Sequence, residues 1–183
     1  MDRCEFARYL HATRGNGHLP QALSHIRMDA KFVAHVESLR PKLSELLAMD
    51  PVSPFRLPRD VPKAGVYLLS EGRRNLYVGR SNNIRSRIGR HCRPGATHSM
   101  AAFAFRLARE STGNIRATYK KGAGSRDALM QDAKFVAAFA QAKARIGAME
   151  LRFVGEPDPV RQGLLEVYVA VVLETPYNDF DTH

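Results

Sequence analysis

Residues 65–91 read GVYLLSEGRRNLYVGRSNNIRSRIGRH, and this stretch decides the fold. Two short runs rich in aliphatic and aromatic residues, GVYLL and LYVG, flank the turn sequence EGRRN. Such runs, separated by a short loop that contains glycine, predict a β-hairpin. If the hairpin folds symmetrically about Gly72, Tyr67 and Tyr77 lie opposite each other on one face of the sheet. Another register places them on opposite faces.

The residues after the hairpin predict a helix with Asn82 or Asn83 as its N-cap. Helical spacing puts four side chains on one face of it, namely Ile84, Arg87, Ile88 and His91. The two isoleucines should pack on the sheet, so the arginine and the histidine point the same way. An arginine turned toward a core is costly unless it meets an anion or a carboxylate. Arg85 and Arg90 face elsewhere, as solvated charges.

Charge is distributed unevenly along the chain. The 183 residues have a net charge of +10 and a hydrophobic content of 44%, which suits one globular domain with or without a small appendage. Residues 73–121 contain twelve Lys/Arg and a single acidic residue, Glu110, whereas residues 1–60 are nearly balanced. Such a block favours a polyanionic partner, with nucleic acid ahead of a membrane surface. A merely solvated basic surface is the alternative.

Nothing in the sequence predicts a membrane segment, since no apolar run approaches the ~18 residues needed to span a bilayer. The first fifteen residues lack the apolar core of a signal peptide. Cys4 and Cys92 are the only cysteines and make no disulfide framework. We therefore expect a location in the reducing cytoplasm.

The N-terminal part predicts a helical appendage over residues 1–50. Apolar stripes at helical spacing indicate helices over residues 2–14 and about 20–48, and Pro41 ends or kinks the second or lies in the first turn of a third. Residues 51–63 contain four prolines, which predict an extended linker and a domain boundary. Residues 64–183 then form the main domain.

Within that domain, residues 93–147 predict two helices, over about 99–110 and 127–146, around a basic loop. The loop contains three glycines, with Tyr119 available to stack on a base. It also offers three cations for DNA phosphates, Arg116, Lys120 and Lys121.

The C-terminal part predicts a strand over residues 149–154 and a helix that ends near residue 174. This helix contains the run LLEVYVAVVL, in which Glu166 is the only charge and shares a face with apolar residues. A buried carboxylate of this kind needs a cation or an arginine as its partner, or it becomes protonated. Asn178 follows in a turn.

Taken in order, these residues resemble the GIY-YIG nuclease family. Gly65-Val66-Tyr67 and Tyr77-Val78-Gly79 match its two hallmark triplets, with Val where Ile is usual, and Arg87, Glu166 and Asn178 follow in the family's order. The spacing is most similar to the GIY-YIG domain of the bacterial excision-repair incision nuclease, which also has a basic residue where Arg80 stands. The resemblance covers residues 64–91 and 150–179, but neither residues 1–63 nor the insertion at about 93–147.

The resemblance implies an α+β fold, in which a small three-stranded antiparallel sheet is flanked by helices. It also implies a divalent-metal-dependent endonuclease that hydrolyses DNA phosphodiester bonds with Mg²⁺ or Mn²⁺ as its cofactor. A basic nucleic-acid-binding module whose nuclease site has decayed is the alternative.

By the same resemblance, Glu166 would hold the metal and Arg87 would clamp the phosphate. Tyr67 would act as general base if nearby positive charge lowers its pKa, with His91 relaying the proton and Tyr77 as the rival base. Asn178 would orient a site group or a DNA oxygen. Three further arginines would contact DNA, namely Arg80, Arg85 and Arg90.

Each of these residues also has a purely structural interpretation. The tyrosines could be ordinary strand aromatics, and Glu166 and Arg87 could form a structural ion pair. His91 could merely cap its helix, and Asn178 could be only a turn residue. A zinc site that uses His91, Cys92 and His98 is disfavoured, because no second ligand pair has suitable spacing.

Overall fold

The structure, a computed structural model, describes residues 29–114, 122, 124–178 and 180. The chain divides into two compact units, residues 1–34 and 35–183. In the first unit only residues 29–34 are described, and there the Asp29 side chain accepts a hydrogen bond from the backbone N–H of Lys31 at 2.9 Å. The helix predicted over residues 2–14 lies outside the described part of the chain.

Two helices precede a β-hairpin, four helices follow it, and a third strand and a last helix complete the order. In chain order they are α1 (Ala30–Glu37), α2 (Leu39–Ala48), β1 (Gly65–Glu71), β2 (Arg74–Ser81), α3 (Ile84–Cys92), α4 (Ala102–Ser111), α5 (Arg126–Leu129), α6 (Ala133–Gly147), β3 (Glu150–Gly155) and α7 (Pro159–Val172). None of these helices is both long enough and apolar enough to cross a bilayer.

The strands form one sheet in the order β2–β1–β3, with both pairs antiparallel, which confirms the predicted fold class. In the hairpin, Tyr67 pairs with Gly79 and Leu69 pairs with Tyr77. The two tyrosines therefore share a face, as predicted, but they are not directly opposite each other. The register differs because the turn comprises two residues, Gly72 and Arg73, and because the pairing shifts between Leu69 and Ser70.

Helices cover both faces of the sheet. On one face, Tyr67 and Leu69 pack in a cluster with buried side chains from α3, α4 and α6. On the other face, Val66 and Leu68 pack in a second cluster with buried side chains from α2 and α7. The central strand β1 is therefore buried on both sides, which explains its continuous run of apolar residues.

The two compact units divide between residues 34 and 35, whereas the sequence predicted a domain boundary at residues 51–63. Helix α2 places Leu39, Leu43 and Leu46 in the second cluster, so this part of the predicted appendage shares the core of the sheet. Its Pro41 is the third helical residue, which matches one of the three predicted positions. A short helix cannot bury its apolar face alone, and the sheet provides the surface that it needs.

Residues 51–63 form a strap along the domain. Val52 exchanges two backbone hydrogen bonds of 2.9 Å with Leu151 on β3. The Phe55 ring lies against Gly147, where a Cβ would come within 2.1 Å of it. Arg85 of α3 donates a hydrogen bond to the carbonyl of Pro58. These contacts hold the strap against β3, α6 and α3.

Two helices in the insertion differ from the prediction. The helix expected over residues 127–146 is two helices, α5 and α6, because the Asp132 side chain accepts a hydrogen bond from the N–H of Lys134 at 2.8 Å and starts a new helix. Helix α4 begins at Ala102, three residues later than predicted. The third strand and the last helix lie where they were predicted, within two residues at each end.

The contribution of α2 to the core can be measured with two neighbouring leucines. Leu46 is fully buried, whereas Leu47 remains 44% exposed. We expect Leu46→Ala to lower the free energy of unfolding by about 2–5 kcal/mol, because it leaves a cavity against the sheet. Leu47→Ala should change it by less than about 0.5 kcal/mol. Urea denaturation of the full chain measures both, and equal small losses would show that α2 is not part of the core.

Candidate active site

Tyr67 lies at the centre of the candidate site and is fully buried. Its pairing with Gly79 places the ring directly over that glycine. A Cβ at position 79 would come within 2.4 Å of the Tyr67 hydroxyl oxygen and within 2.6 Å of the ring carbon that bears it. The glycine of the second triplet is therefore needed so that the tyrosine of the first triplet can lie flat against β2.

Helix α3 brings Arg87 and His91 to this tyrosine. The Asn83 side chain caps the helix by accepting a hydrogen bond of 2.9 Å from the N–H of Ser86. The Tyr67 Oη lies 2.7 Å from His91 Nε2, and Arg87 Nε donates to the same oxygen at 3.3 Å. The two polar residues on the apolar helix face thus meet a phenol hydroxyl, which gives His91 Nε2 and Arg87 Nε a hydrogen-bond partner.

His91 is enclosed by aromatic rings. The ring centroids of Tyr67 and Tyr77 both lie 5.7 Å from that of His91, and that of Phe103 lies 6.4 Å away. Burial, together with the charge of Arg87, lowers the pKa of His91 to about 3. The imidazole is therefore neutral across the physiological pH range.

The neutral imidazole carries its proton on one nitrogen, and the direction of its hydrogen bond with the Tyr67 hydroxyl depends on which nitrogen that is. His91 Nδ1 is buried and has no hydrogen-bond partner among the described residues. A bare acceptor nitrogen tolerates this isolation better than an N–H group does. With the proton on Nε2, His91 and Arg87 both donate to the Tyr67 oxygen, and two donors on one oxygen stabilise its anionic form.

Burial raises the pKa of both tyrosines above its ordinary value near 10. Arg87 lowers both pKa values, as the sequence argument expected, but burial outweighs its charge. Tyr77 is the less buried of the two, and its ring stacks on Phe103 with centroids 4.6 Å apart and planes 13° apart. Neither phenol is an anion at neutral pH without further positive charge.

Glu166 reaches the site from α7, which begins at Pro159 and is capped by the Asp158 side chain. Its side chain is 25% exposed, and Arg80 Nε lies 3.0 Å from its Oε2 atom. The arginine partner of Glu166 is therefore Arg80, and not Arg87 as in the structural alternative. Burial raises the pKa of Glu166, while Arg80 and then Arg87 act to lower it.

The negative charge of Glu166 helps to raise the pKa of both tyrosines, so this carboxylate and the hairpin–helix part of the predicted site lie near one another. They are about eighty residues apart in the sequence and come together because α7 packs on β1 and β2.

Asn178 uses its side chain to hold strand β2. Its Nδ2 donates to the carbonyl of Val78 at 2.8 Å, and its Oδ1 accepts from the N–H of Val78 at 2.8 Å and from the Thr175 hydroxyl at 2.9 Å. The backbone N–H of Tyr177 donates to the carbonyl of Leu76 at 3.1 Å. The C-terminal turn is therefore bonded to β2 on both sides of Tyr77.

The insertion contributes to the site, which the sequence pattern did not indicate. Arg87 Nη1 donates to the carbonyl of Met100 at 3.3 Å, and Phe103 of α4 is the ring on which Tyr77 stacks. Tyr177 packs on Phe103 with centroids 5.2 Å apart and donates to Glu110 at 2.6 Å. In the sequence, Phe103 appears only as part of an apolar helix face, a pattern that does not distinguish a site wall from a core residue.

The predicted DNA-binding residues lie in different environments. Arg80 lies beside Glu166. Arg85 donates to the carbonyls of Pro58 and Arg59 in the strap, and Arg90 is exposed on α3. The three cations of the basic loop, Arg116, Lys120 and Lys121, lie outside the described residues, as does Tyr119.

The donor set limits which metal could bind. Across the described part of the chain, no three His, Cys, Asp or Glu residues come together as a metal site. Glu166 is a single hard oxygen ligand that is partly open to solvent. Mg²⁺ keeps several of its waters and accepts one or two protein carboxylates, so a hydrated Mg²⁺ or Mn²⁺ fits this position. A closed structural zinc site does not.

The contact between Tyr67 and Gly79 can be tested with a matched pair of glycines. Gly79→Ala forces the buried Tyr67 ring to move, and we expect a loss of about 1–3 kcal/mol in the free energy of unfolding. Gly163→Ala adds a methyl group where nothing lies within 4 Å, inside helix α7, so it should be neutral or stabilising. Chemical denaturation gives both values. If the two variants are equally stable, Tyr67 does not pack against position 79.

Comparison with known proteins identified a family model that matches part of this chain. Residues 63–128 match the model of the GIY-YIG catalytic domain. The match begins just before the hairpin and extends through α3 and α4, so it includes part of the insertion that the resemblance left out, but it ends before β3 and the helix of Glu166. Searches of the curated proteins and of the solved structures found no match. The match, together with the three-stranded sheet and its flanking helices, identifies residues 63–128 as similar to a GIY-YIG catalytic domain.

Proposed function

We propose that this chain is a divalent-metal-dependent endonuclease that hydrolyses DNA phosphodiester bonds, with Mg²⁺ or Mn²⁺ as its cofactor. The observation that carries the proposal is the convergence of Tyr67, Arg87 and Glu166 from β1, α3 and α7. Arg87 donates to the Tyr67 hydroxyl, and the charge of Glu166 acts on the same phenol. The nuclease-type family supports hydrolysis as the reaction, and a purely structural role would not require all three chemical groups together.

Arg87 would bind the substrate phosphate. Its guanidinium donates through Nε to Tyr67 and through Nη1 to Met100, so it is already oriented within the site. The side chain is half-buried, and electrostatic contacts are stronger there than in open solvent. Arg80 lies on the other side of the Glu166 carboxylate and would add a second positive charge. Both arginines belong to the basic stretch 73–121, which suits a polyanionic substrate.

Glu166 would hold the metal. When it is bound, the divalent cation supplies positive charge that neutralises the phosphate and the leaving oxygen. The carboxylate has to be ionised for this, and Arg80 favours the ionised form. Arg80 would also keep the carboxylate in one orientation when no metal is present.

Tyr67 would act as the general base. Once the charge of the bound cation had lowered the pKa of Tyr67 and its proton had left to solvent, the phenolate oxygen would take a proton from the attacking water, while the water oxygen bonds to phosphorus and the bond to the leaving oxygen breaks. His91 and Arg87 would stabilise that phenolate by donating to it. With a pKa of about 3, His91 is a poor proton acceptor, so we propose that it holds Tyr67 in place instead of relaying the proton. Tyr77 is the rival base, since its pKa also responds to Arg87 and Glu166.

Asn178 would contribute by positioning, since its amide holds Val78 beside Tyr77. A cytoplasmic location, as expected from the cysteines, belongs to the same proposal. The alternative function, a DNA-binding module without activity, shares the basic surface but does not require the geometry around Tyr67.

Removing the carboxylate of Glu166 tests the proposal directly. We expect Glu166→Gln to reduce cleavage of plasmid and single-stranded DNA by at least about 100-fold, since the metal loses its protein ligand. DNA binding should largely survive, because the arginines remain. Cleavage is assayed with Mg²⁺, Mn²⁺ or EDTA, and wild-type activity should be absent in EDTA.

The matched control is Glu45→Gln on α2, which removes an exposed carboxylate paired only with Lys42 and should leave cleavage unchanged. Cleavage by Glu166→Gln at the wild-type rate would refute the metal assignment. If the wild type cuts no DNA form with any metal, the non-catalytic binding module becomes the better function.

The raised pKa of Glu166 predicts how metal binding depends on pH. An ordinary glutamate has a pKa near 4.3, and burial raises that of Glu166. Protons therefore compete with the metal over a higher pH range than at an ordinary glutamate. Apparent Mn²⁺ affinity should be constant at high pH and should fall as the pH decreases through the raised pKa. The electron paramagnetic resonance signal of free Mn²⁺ measures this, and the same pH dependence in Glu166→Gln would contradict it.

A further inference from the structure

A crevice with positively charged lining residues lies on the side of α3 that faces away from Tyr67. It is formed between α3 and residues 54–57 of the strap, and its volume is about 250 Å³. Three of its lining residues are arginines, Arg56, Arg85 and Arg93. Arg85 is two positions from Arg87, which corresponds to about 200° around a helix, so the two arginines point in opposite directions.

No carboxylate lines this crevice. Within the described part of the chain, none of the three arginines forms an ion pair with an acidic residue. Three like charges around one crevice repel each other, and the repulsion is relieved when an anion enters. The family match and the proposed mechanism do not account for this arrangement, because the catalytic groups lie on the opposite side of α3.

Two of the arginines are held in place before any ligand binds. The Arg93 guanidinium lies against the helix at Gly89, where a Cβ would come within 2.8 Å of its Nε. Arg85 donates to the carbonyls of Pro58 and Arg59, which fixes one end of its guanidinium. A guanidinium that is already oriented loses less conformational entropy when it binds a phosphate.

We propose that this crevice binds a phosphate group of the DNA backbone at a position other than the bond that is cut. The identity of the ligand as DNA depends on the proposed function. Arg85 and Arg93 belong to the same basic stretch of the sequence as Arg87, which suits a shared polyanionic ligand. The width of one helix, about 10 Å, separates the crevice from the site, and this corresponds to roughly three nucleotides along a duplex.

The experiment uses the full chain with Glu166→Gln, in EDTA, so that DNA binding is measured without cleavage. Fluorescence anisotropy of a labelled duplex is recorded at several salt concentrations for this protein and for the same protein with Arg56→Gln and Arg93→Gln. Loss of this phosphate contact should reduce the slope of log K against log salt by about 0.9 and the affinity at 0.1 M salt by roughly tenfold. Arg85 is left intact because it holds the strap.

The control protein carries Arg40→Gln and Lys134→Gln, which remove the same charge from exposed positions on α2 and α6, outside the crevice. An equal change in the control, or no change in the crevice variant, overturns the proposal. A thermal shift with inorganic phosphate that depends on Arg56 and Arg93, without any change in the salt slope, would indicate a free-anion site and would also overturn it. Both variants should keep the parental melting temperature.

The two proposals fail in different ways. If the wild type does not cleave DNA but the salt slope falls as expected, the crevice binds DNA phosphate and the nuclease proposal fails. If the wild type cleaves DNA and the slope is unchanged, the crevice proposal fails alone. Absence of DNA binding by the parent protein overturns the crevice proposal together with the DNA substrate.

Discussion

The burial of one phenol is the constraint on which the rest of the site depends. Tyr67 is on the central strand, beneath α3, and its hydroxyl needs hydrogen-bond partners because the side chain is buried. His91 and Arg87 provide them. The same burial requires glycine at position 79, since any side chain there would occupy the place of the ring. The tyrosine of the first triplet and the glycine of the second triplet therefore form one packing contact.

Burial and charge act against each other in this site. Low polarity raises the pKa of the tyrosines and of Glu166, and it lowers the pKa of His91, so each titratable group is shifted toward its neutral form. The arginines oppose the shifts of the acidic groups. A divalent cation beside Glu166 would add to this opposition, and the site is therefore suited to receive positive charge and an anionic substrate together.

The insertion and the C-terminal turn support the active-site strand from outside. Strand β2 is an edge strand, and its free backbone groups would otherwise be open to other partners. The Asn178 side chain and the Tyr177 backbone bind three of these groups. The ring of Phe103 on α4 stacks on the ring of Tyr77. The insertion is therefore a structural wall of the site in addition to any contact that it makes with DNA.

Local sequence was sufficient to predict the hairpin, the helix after it, and the shared face of Arg87 and His91, because these features depend on residues that are near each other in the chain. The ordered motif residues also led to the family and the fold class. The partner of Glu166, the offset of the tyrosines and the packing of α2 on the sheet were decided only in the tertiary structure. Each of these depends on contacts between segments far apart in the sequence, or on a one-residue shift in strand pairing that composition and periodicity do not encode.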